Sequence, residues 1–155
     1  MQIIYLNYFL ASIIAYSGLL LGIILIKLAA EEQQPGKRYF ILLKKILFFM
    51  ILVSLLFFYK INVILTTILL FFIIILMLNK KMNLEKSSLV YLLLGTVFYL
   101  SSKIFNLFVL ETVLIFLYGI ANSSILLNLK KKNYYGIILK NLWFFVPVIV
   151  LYVLL

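Results

Sequence analysis

The chain lacks cysteine, histidine and aspartate, and its only acids are four glutamates among 155 residues. Without cysteine no disulfide or thiolate can form, and without histidine a serine–histidine–carboxylate triad is impossible within the chain. The usual zinc and transition-metal ligands are missing, and so is a general base that titrates near neutral pH. These absences predict a protein that is not an enzyme and that holds no cofactor and no metal ion.

Charge is also scarce. Only 12% of the residues are charged, whereas 67% are hydrophobic and the mean hydropathy is +1.27. A soluble domain of this size is typically about half apolar and about a quarter charged. A soluble fold could not bury this much apolar surface, so we predict an all-α fold: a polytopic transmembrane helical bundle.

Six apolar runs, separated by short lysine-bearing stretches, fill nearly all of the chain. A spanning helix needs about 20 mostly apolar residues. The first run carries no charge from Met1 to Leu10 and continues to Leu28, which argues against a cleaved signal peptide. We therefore predict one integral membrane domain over residues 1–155. Its spans are predicted at about 3–28, 39–59, 61–78, 88–102, 104–129 and 135–155.

Three places are predicted to be turns. Pro35–Gly36 is the strongest turn signal in the chain. Lys60 and Lys103 are almost the only interruptions between the second and third spans and between the fourth and fifth. The alternative in each case is one long helix, but that helix would carry a lysine to the bilayer centre, at a cost of at least a few kcal/mol. A turn with the lysine among the headgroups is favoured.

The basic residues decide the predicted orientation, because lysine and arginine gather in cytoplasmic loops. If the N-terminus is outside, twelve of the 14 basic residues lie in inner stretches and two in outer turns. Six spans with the N-terminus and the C-terminus both outside is the arrangement that gives this bias. The inner residues are Lys27, Lys37, Arg38, Lys44, Lys45, Lys80, Lys81, Lys86, Lys130, Lys131, Lys132 and Lys140, and the outer ones are Lys60 and Lys103.

Three spans carry polar residues at positions i, i+7 and i+11, or close to that spacing, which places them on one face of a helix. Such groups avoid lipid and are expected to face one another inside a bundle. We interpret them as a substrate or ion path between spans one, four and five. The path residues are Tyr5, Ser12 and Tyr16 in span one, Tyr91 and Ser102 in span four, and Glu111, Tyr118 and Asn122 in span five.

Glu111 is the only acid inside a predicted span, about 9 Å below the outer boundary by helix rise. A carboxylate at that depth has to be protonated, paired or hydrated. One interpretation is a site for a proton, a cation or a cationic substrate group. The other is a structural ion pair with Lys60 or Lys103 that holds two hairpins together.

Glu31, Glu32, Pro35 and Gly36 form a second candidate, a cytoplasmic loop contact. Two acids near the C-terminal end of a helix oppose its dipole, which suggests basic partners. The plainer interpretation, a solvated charged turn, is favoured.

Gly18 and Gly22 form a GxxxG pair, which predicts close helix packing within the bundle or at a homodimer contact. Pro147 is predicted to kink the last span and to free a carbonyl group near the membrane midplane.

Of three function classes, a membrane enzyme that acts on lipid is the least supported, because the chain lacks the clustered acids or histidine that phosphate chemistry usually needs. Two other functions remain open. The first is a small transporter or channel, or the membrane subunit of one. The alternative is an accessory or scaffold protein that binds other membrane proteins and has no transport activity of its own. Polar side chains around one cavity favour the first, and dry packing favours the second. The expected partners are the lipid bilayer, anionic headgroups near the cytoplasmic lysines, and a homo-oligomer or other membrane subunits, but not nucleic acid.

Overall fold

The computed structural model describes residues 5–61, 67, 88–127 and 133–154, which form helices and short connections without a strand among them. The predicted third span, 61–78, lies outside the described residues except for Ile61 and Thr67. The helices are α1 (Tyr5–Leu28), α2 (Gln33–Phe58), α3 (Ser88–Ser101), α4 (Phe105–Leu126), α5 (Tyr134–Asn141) and α6 (Phe145–Leu154), with 3-10 turns at Ala30–Glu32 and Leu142–Phe144.

Four helical stretches are long and apolar enough to cross a membrane, as judged by length and composition: Tyr5–Leu28, Ala30–Phe58, Phe105–Leu126 and Tyr134–Leu154. α3 is apolar but has only 14 residues. A helix satisfies its backbone hydrogen bonds within itself, which suits long apolar segments that no water can solvate. The predicted all-α class is confirmed for the described part of the chain.

α4 is the central helix. It packs along both α1 and α2 and also contacts α3, while α3 packs against α6 and the Leu142–Phe144 turn. The buried residues of α4 recur at spacings of three and four, so its neighbours cover a wide face of the helix. Examples are Leu107, Glu111, Leu114 and Tyr118.

The contact between α1 and α4 is close because glycine lies on both sides of it. A Cβ atom added to Gly18 would overlap the Phe116 carbonyl group, and one added to Gly22 would overlap Ser123 and Ile120. A Cβ atom added to Gly119 of α4 would come within 2.6 Å of the Leu19 nitrogen. The structure thus places the GxxxG pair at a contact inside the bundle.

The chain turns at both predicted lysines. α2 ends at Phe58, and Lys60 adopts the left-handed backbone conformation with φ 49°, which is common just after a helix end. α3 ends at Ser101, and the Lys103 amide donates to the Leu100 carbonyl oxygen at 3.2 Å. The two turns lie at one end of the bundle, because the Tyr59 hydroxyl donates to the same Leu100 oxygen at 2.8 Å. We call this the lysine-turn end.

Four other helix ends meet at the opposite end of the bundle, which we call the basic end. The Gln33 side-chain amide at the start of α2 donates to the carbonyl oxygens of Ser124 and Leu127 at the end of α4, at 3.2 and 2.7 Å. The ammonium group of Lys27, near the end of α1, lies 4.1 Å from the ring centroid of Tyr134, the first residue of α5.

The first and last described residues lie together at the lysine-turn end. The ring of Tyr5 is 5.3 Å from that of Tyr152 in α6. One turn of helix further on, the ring of Tyr8 stacks on that of Phe108 in the second turn of α4, at 6.0 Å. Both ends of the described chain are therefore on the side of the bundle where Lys103 lies.

The predicted turn at Pro35–Gly36 is wrong. Both residues lie in the first turn of α2, which already begins at Gln33, and the chain reverses through Ala29 and the Ala30–Glu32 turn. Proline is compatible with the first turn of a helix, because the backbone N–H groups there have no partner within the helix in any case.

The last predicted span is interrupted. α5 ends at Asn141, a 3-10 turn covers Leu142–Phe144, and α6 carries Pro147 as its third residue. The irregular turn ends three residues before the proline and contains Trp143, whose carbonyl group would have bonded to the amide that Pro147 lacks. The predicted kink at Pro147 therefore corresponds to a short non-α segment.

Candidate functional site

Glu111 lies in the contact between α4 and α2. The side chain is 0% exposed. Its Oε1 atom is 2.6 Å from the hydroxyl oxygen of Ser54 in α2. The other carboxyl oxygen, Oε2, is buried and has no hydrogen-bond partner among the described residues. A buried carboxyl group with one polar neighbour is costly unless it is neutral or acquires another ligand.

The lysines of the lysine-turn end do not supply that ligand. The Lys103 ammonium lies 4.9 Å from the centroid of the Tyr99 ring, and the side chain is exposed. Its hydrogen bond with Tyr99 raises the pKa of the Lys103 amine above its ordinary value. Within the described part of the chain, no lysine donates to either oxygen of Glu111. The geometry therefore gives no support to a structural ion pair with Lys60 or Lys103.

A second polar group lies nearer the basic end, where side chains from α1, α3 and α4, the helices of predicted spans one, four and five, contact one another. The ring of Tyr91 contacts the rings of Tyr16 and Tyr118, with centroids 6.4 and 6.0 Å apart, both in edge-on geometry. The side-chain amide of Asn122 donates to the Tyr91 hydroxyl oxygen at 3.4 Å. We call these four residues the tyrosine cluster.

Besides Glu111, three of the predicted path residues lie outside the tyrosine cluster. Tyr5 is 57% exposed and contacts the rings of Phe9 and Tyr152. The Ser12 hydroxyl is buried, but it donates to the Phe9 carbonyl oxygen of its own helix at 2.7 Å. Ser102 likewise donates to the Tyr99 carbonyl oxygen at 2.6 Å. These hydroxyls satisfy local backbone groups.

Glu111 is also separate from the tyrosine cluster. It precedes Tyr118 by seven residues of α4, which is about 10 Å along the helix axis. The residues of the predicted path therefore do not form one continuous group: Glu111 contacts Ser54, and the tyrosine cluster lies further along the bundle axis.

Lys44 joins α2 to the tyrosine cluster. Lys44 is one of the basic residues predicted to lie on the inner side, but its side chain is only 6% exposed and its ammonium is 5.9 Å from the centroid of the Tyr118 ring. The neighbouring Lys45 is exposed. A buried ammonium beside an aromatic face is stabilised by the quadrupole of the ring.

Sequence reasoning missed Ser54 and the burial of Lys44. A signal for both was present, because positions 44, 47, 51 and 54 follow the spacing of one helix face, and the structure buries Lys44, Leu47 and Ile51 on it. Because Lys44 and Ser54 are polar and lie at the two ends of this face, the face is expected to pack against another helix and not against lipid.

The predicted cytoplasmic loop contact is not a cluster. Glu31, Glu32 and Pro35 are exposed, and Gly36 is partly covered by its own helix neighbour Phe40. The contact residue in this segment is Gln33, through its two hydrogen bonds to the end of α4.

No protein-family model matches the chain, and comparison with curated proteins and with solved structures finds no similar protein.

Proposed function

We propose that the chain is a multi-pass integral membrane protein. Its helices expose many large apolar side chains along their outer faces, and contact of so much apolar surface with water would be unfavourable. In a bilayer the same side chains contact acyl chains, which are equally apolar, so this cost is absent. The side chains that support this proposal include Leu6, Ile24 and Leu28 of α1, Leu42 and Phe57 of α2, Leu89 and Leu93 of α3, Val109 and Val113 of α4, and Val153 and Leu154 of α6.

The proposed orientation has both termini outside and the basic end in the cytoplasm. It is supported by the position of the exposed Lys27, Lys37 and Arg38 near the basic end and of Lys60 and Lys103 at the lysine-turn end. An even number of crossings, six in our proposal, brings both termini to one face.

Within that membrane domain we propose a carrier or channel, or the membrane subunit of one, in which Glu111 binds a proton or a cation. The observation that carries the proposal is the fully buried carboxyl group whose Oε2 atom has no hydrogen-bond partner within the described residues. A buried acid that no lysine of the described residues neutralises, in a predominantly apolar helix pair, is typical of an ion site.

Transport is tested with purified protein in sealed vesicles that contain a pH-sensitive dye. An imposed pH gradient or membrane potential should drive an ion flux through the wild-type protein, and Glu111→Gln should abolish it while the helical content stays unchanged. Glu31→Gln is the matched control, because Glu31 is exposed and should leave the flux intact. A normal flux in Glu111→Gln would refute the role of Glu111.

A scaffold function is the second candidate, and one observation favours it. The rings of Tyr16, Tyr91 and Tyr118 pack directly against one another, as expected for a dry interior. A scaffold requires a membrane partner, so affinity purification in mild detergent followed by mass spectrometry should recover one in a fixed ratio. If such a partner is recovered and vesicles of the chain alone carry no flux, the scaffold or subunit proposal is preferred.

A further inference from the structure

The Ser54 hydroxyl lies within hydrogen-bond distance of three acceptors. Its oxygen is 2.6 Å from Glu111 Oε1, 2.8 Å from the Met50 carbonyl oxygen and 3.0 Å from the Ile51 carbonyl oxygen. A serine hydroxyl carries a single proton but can accept through its lone pairs. The three contacts therefore cannot all be hydrogen bonds donated by Ser54.

An ionised Glu111 fits these contacts poorly. The carboxylate has no proton to donate, so the Ser54 proton would have to point at Oε1 and away from the backbone carbonyls. The buried negative charge would then hold one hydrogen bond, with nothing on Oε2 from the described residues. Burying an ion with so little compensation costs several kcal/mol.

A neutral Glu111 fits them well. The acid donates its proton from Oε1 to the Ser54 oxygen, and Ser54 donates its own to the Met50 carbonyl, the usual bond of a serine to the residue four before it in a helix. The contacts of Ser54 with Glu111 and with Met50 then each have one donor and one acceptor, and the Ile51 carbonyl oxygen is a close neighbour that receives no proton. What remains without a partner within the described residues is a neutral oxygen, and this is far less costly than a charge.

We propose that Glu111 carries a proton in this packing of α2 on α4, and that the proton is the occupant of the site. The inference rests on the proposed function and names its ligand. Ser54 is a positioning residue, since its hydroxyl accepts from the acid and would turn toward Oε1 when the proton leaves. Release of the proton leaves a carboxylate that needs water or a new donor, so it is coupled to loosening of the α2–α4 contact.

Other ionisable side chains buried by the helices around Glu111 are engaged elsewhere. Lys44 of α2 lies ten residues from Ser54, about 15 Å along the helix, against the ring of Tyr118. The hydroxyls of Tyr8 and Tyr16 of α1 donate to the carbonyl oxygens of Val148 and Ile138. On α3, Tyr91 accepts from Asn122, and Tyr99 interacts with Lys103.

Infrared spectroscopy tests the assignment, because a protonated carboxyl group absorbs in a region free of amide bands. The protein is measured at neutral pH in a detergent without ester carbonyls, which would overlap that region. We expect a carboxylic-acid band that Glu111→Gln removes and the exposed-residue control Glu31→Gln leaves in place. Ser54→Ala should keep the band but shift it to higher frequency, because the acid loses its acceptor.

Absence of the band from the wild-type protein, or its persistence in Glu111→Gln, would overturn the proposal. If Glu111→Gln fails to fold, Ser54→Ala still decides, since a band that does not shift in that variant belongs to another group. The vesicle assay tests transport independently of the infrared band. A protein that shows the band but carries no ion flux would refute transport alone. A flux that depends on Glu111 in a protein without the band would refute the proton assignment alone.

Discussion

Glycine occupies three positions of the α1–α4 contact at which any side chain would overlap the backbone of the facing helix. Gly18 and Gly22 of α1 and Gly119 of α4 let the two helices approach closely. In lipid this is a main source of helix affinity, because apolar burial gives little advantage when the solvent is itself apolar. These glycines therefore stabilise the bundle indirectly, because the close approach that they permit lets the neighbouring side chains of α1 and α4 pack against each other.

The first prediction compares two glycines. Gly18→Ala should destabilise the bundle by about 1–3 kcal/mol, because the new methyl group meets the Phe116 carbonyl group, a backbone atom that cannot move aside. Gly136→Ala in α5 is the matched control, since nothing lies within 4 Å of the added carbon, and it should be neutral or slightly stabilising. Thermal unfolding in detergent measures both, and equal effects would contradict the close contact.

Sequence reasoning identified Gly18, Gly22 and Glu111 but not Ser54. A glycine pair or a lone acid in an apolar helix is visible in one segment of sequence. Which residue contacts Glu111 depends on which helices pack together and on how far one is shifted along the other. The apolar pattern is similar in every span, so the sequence does not show this arrangement. All four residues of the tyrosine cluster were among the predicted path residues, because polar residues at helical spacing can be recognised within each span separately.

Among the elements, the interrupted helix formed by α5 and α6 is held by its neighbours α1 and α3. The Tyr16 hydroxyl donates to the Ile138 carbonyl oxygen at 2.8 Å, before the Leu142–Phe144 turn, and the Tyr8 hydroxyl donates to the Val148 oxygen at 3.0 Å, after it. α1 therefore holds both halves of the broken helix. On the other side, Gly95 of α3 allows close approach of the Phe144 backbone.

The second prediction concerns these two hydroxyls. Tyr8→Phe and Tyr16→Phe each remove one interhelical hydrogen bond, which is worth about 0.6 kcal/mol on average within membrane proteins. We expect faster hydrogen exchange of the backbone amides around residues 141–148 in both variants. Tyr5→Phe, at an exposed tyrosine of the same helix, should leave exchange unchanged. Unaltered exchange in both buried variants would mean that α1 does not hold the break.

The third prediction concerns the end of α4. Gln33→Ala removes two hydrogen bonds to carbonyl groups of its last turn, whose C=O groups have no partner within the helix. The last turn of α4 should then exchange its amides faster, and the thermal midpoint should fall. Gln34→Ala is the control, because Gln34 is adjacent and exposed. If the two variants behave alike, the contact of Gln33 is not a functional cap.

Helix positions were largely predictable, whereas one connection was not. α1 ends at Leu28, α3 ends at Ser101 and α4 begins at Phe105, each within one residue of the predicted bound, because apolar run length and the lysines define these ends. α2 begins at Gln33, six residues before its predicted start. Pro35–Gly36 misled because the same two residues suit both a turn and the first turn of a helix, and local sequence does not decide between them.

At the scale of the whole molecule, the distribution of charge along the bundle axis is the main feature. Exposed Lys27, Lys37 and Arg38 lie near one end, and the turns at Lys60 and Lys103 lie at the other together with the first and last described residues. This distribution is what the proposed orientation requires. We propose that anionic headgroups bind at the basic end.

The most direct test of this orientation uses the absence of native cysteine. Single cysteines are introduced in place of the exposed Lys103 and Lys37, with buried Ile51→Cys as the control for inaccessible sites. Intact cells are treated with a membrane-impermeant maleimide. We expect labelling of Lys103→Cys in intact cells, labelling of Lys37→Cys only after permeabilisation, and none of Ile51→Cys before denaturation. Labelling of Lys37→Cys in intact cells with Lys103→Cys protected would contradict it.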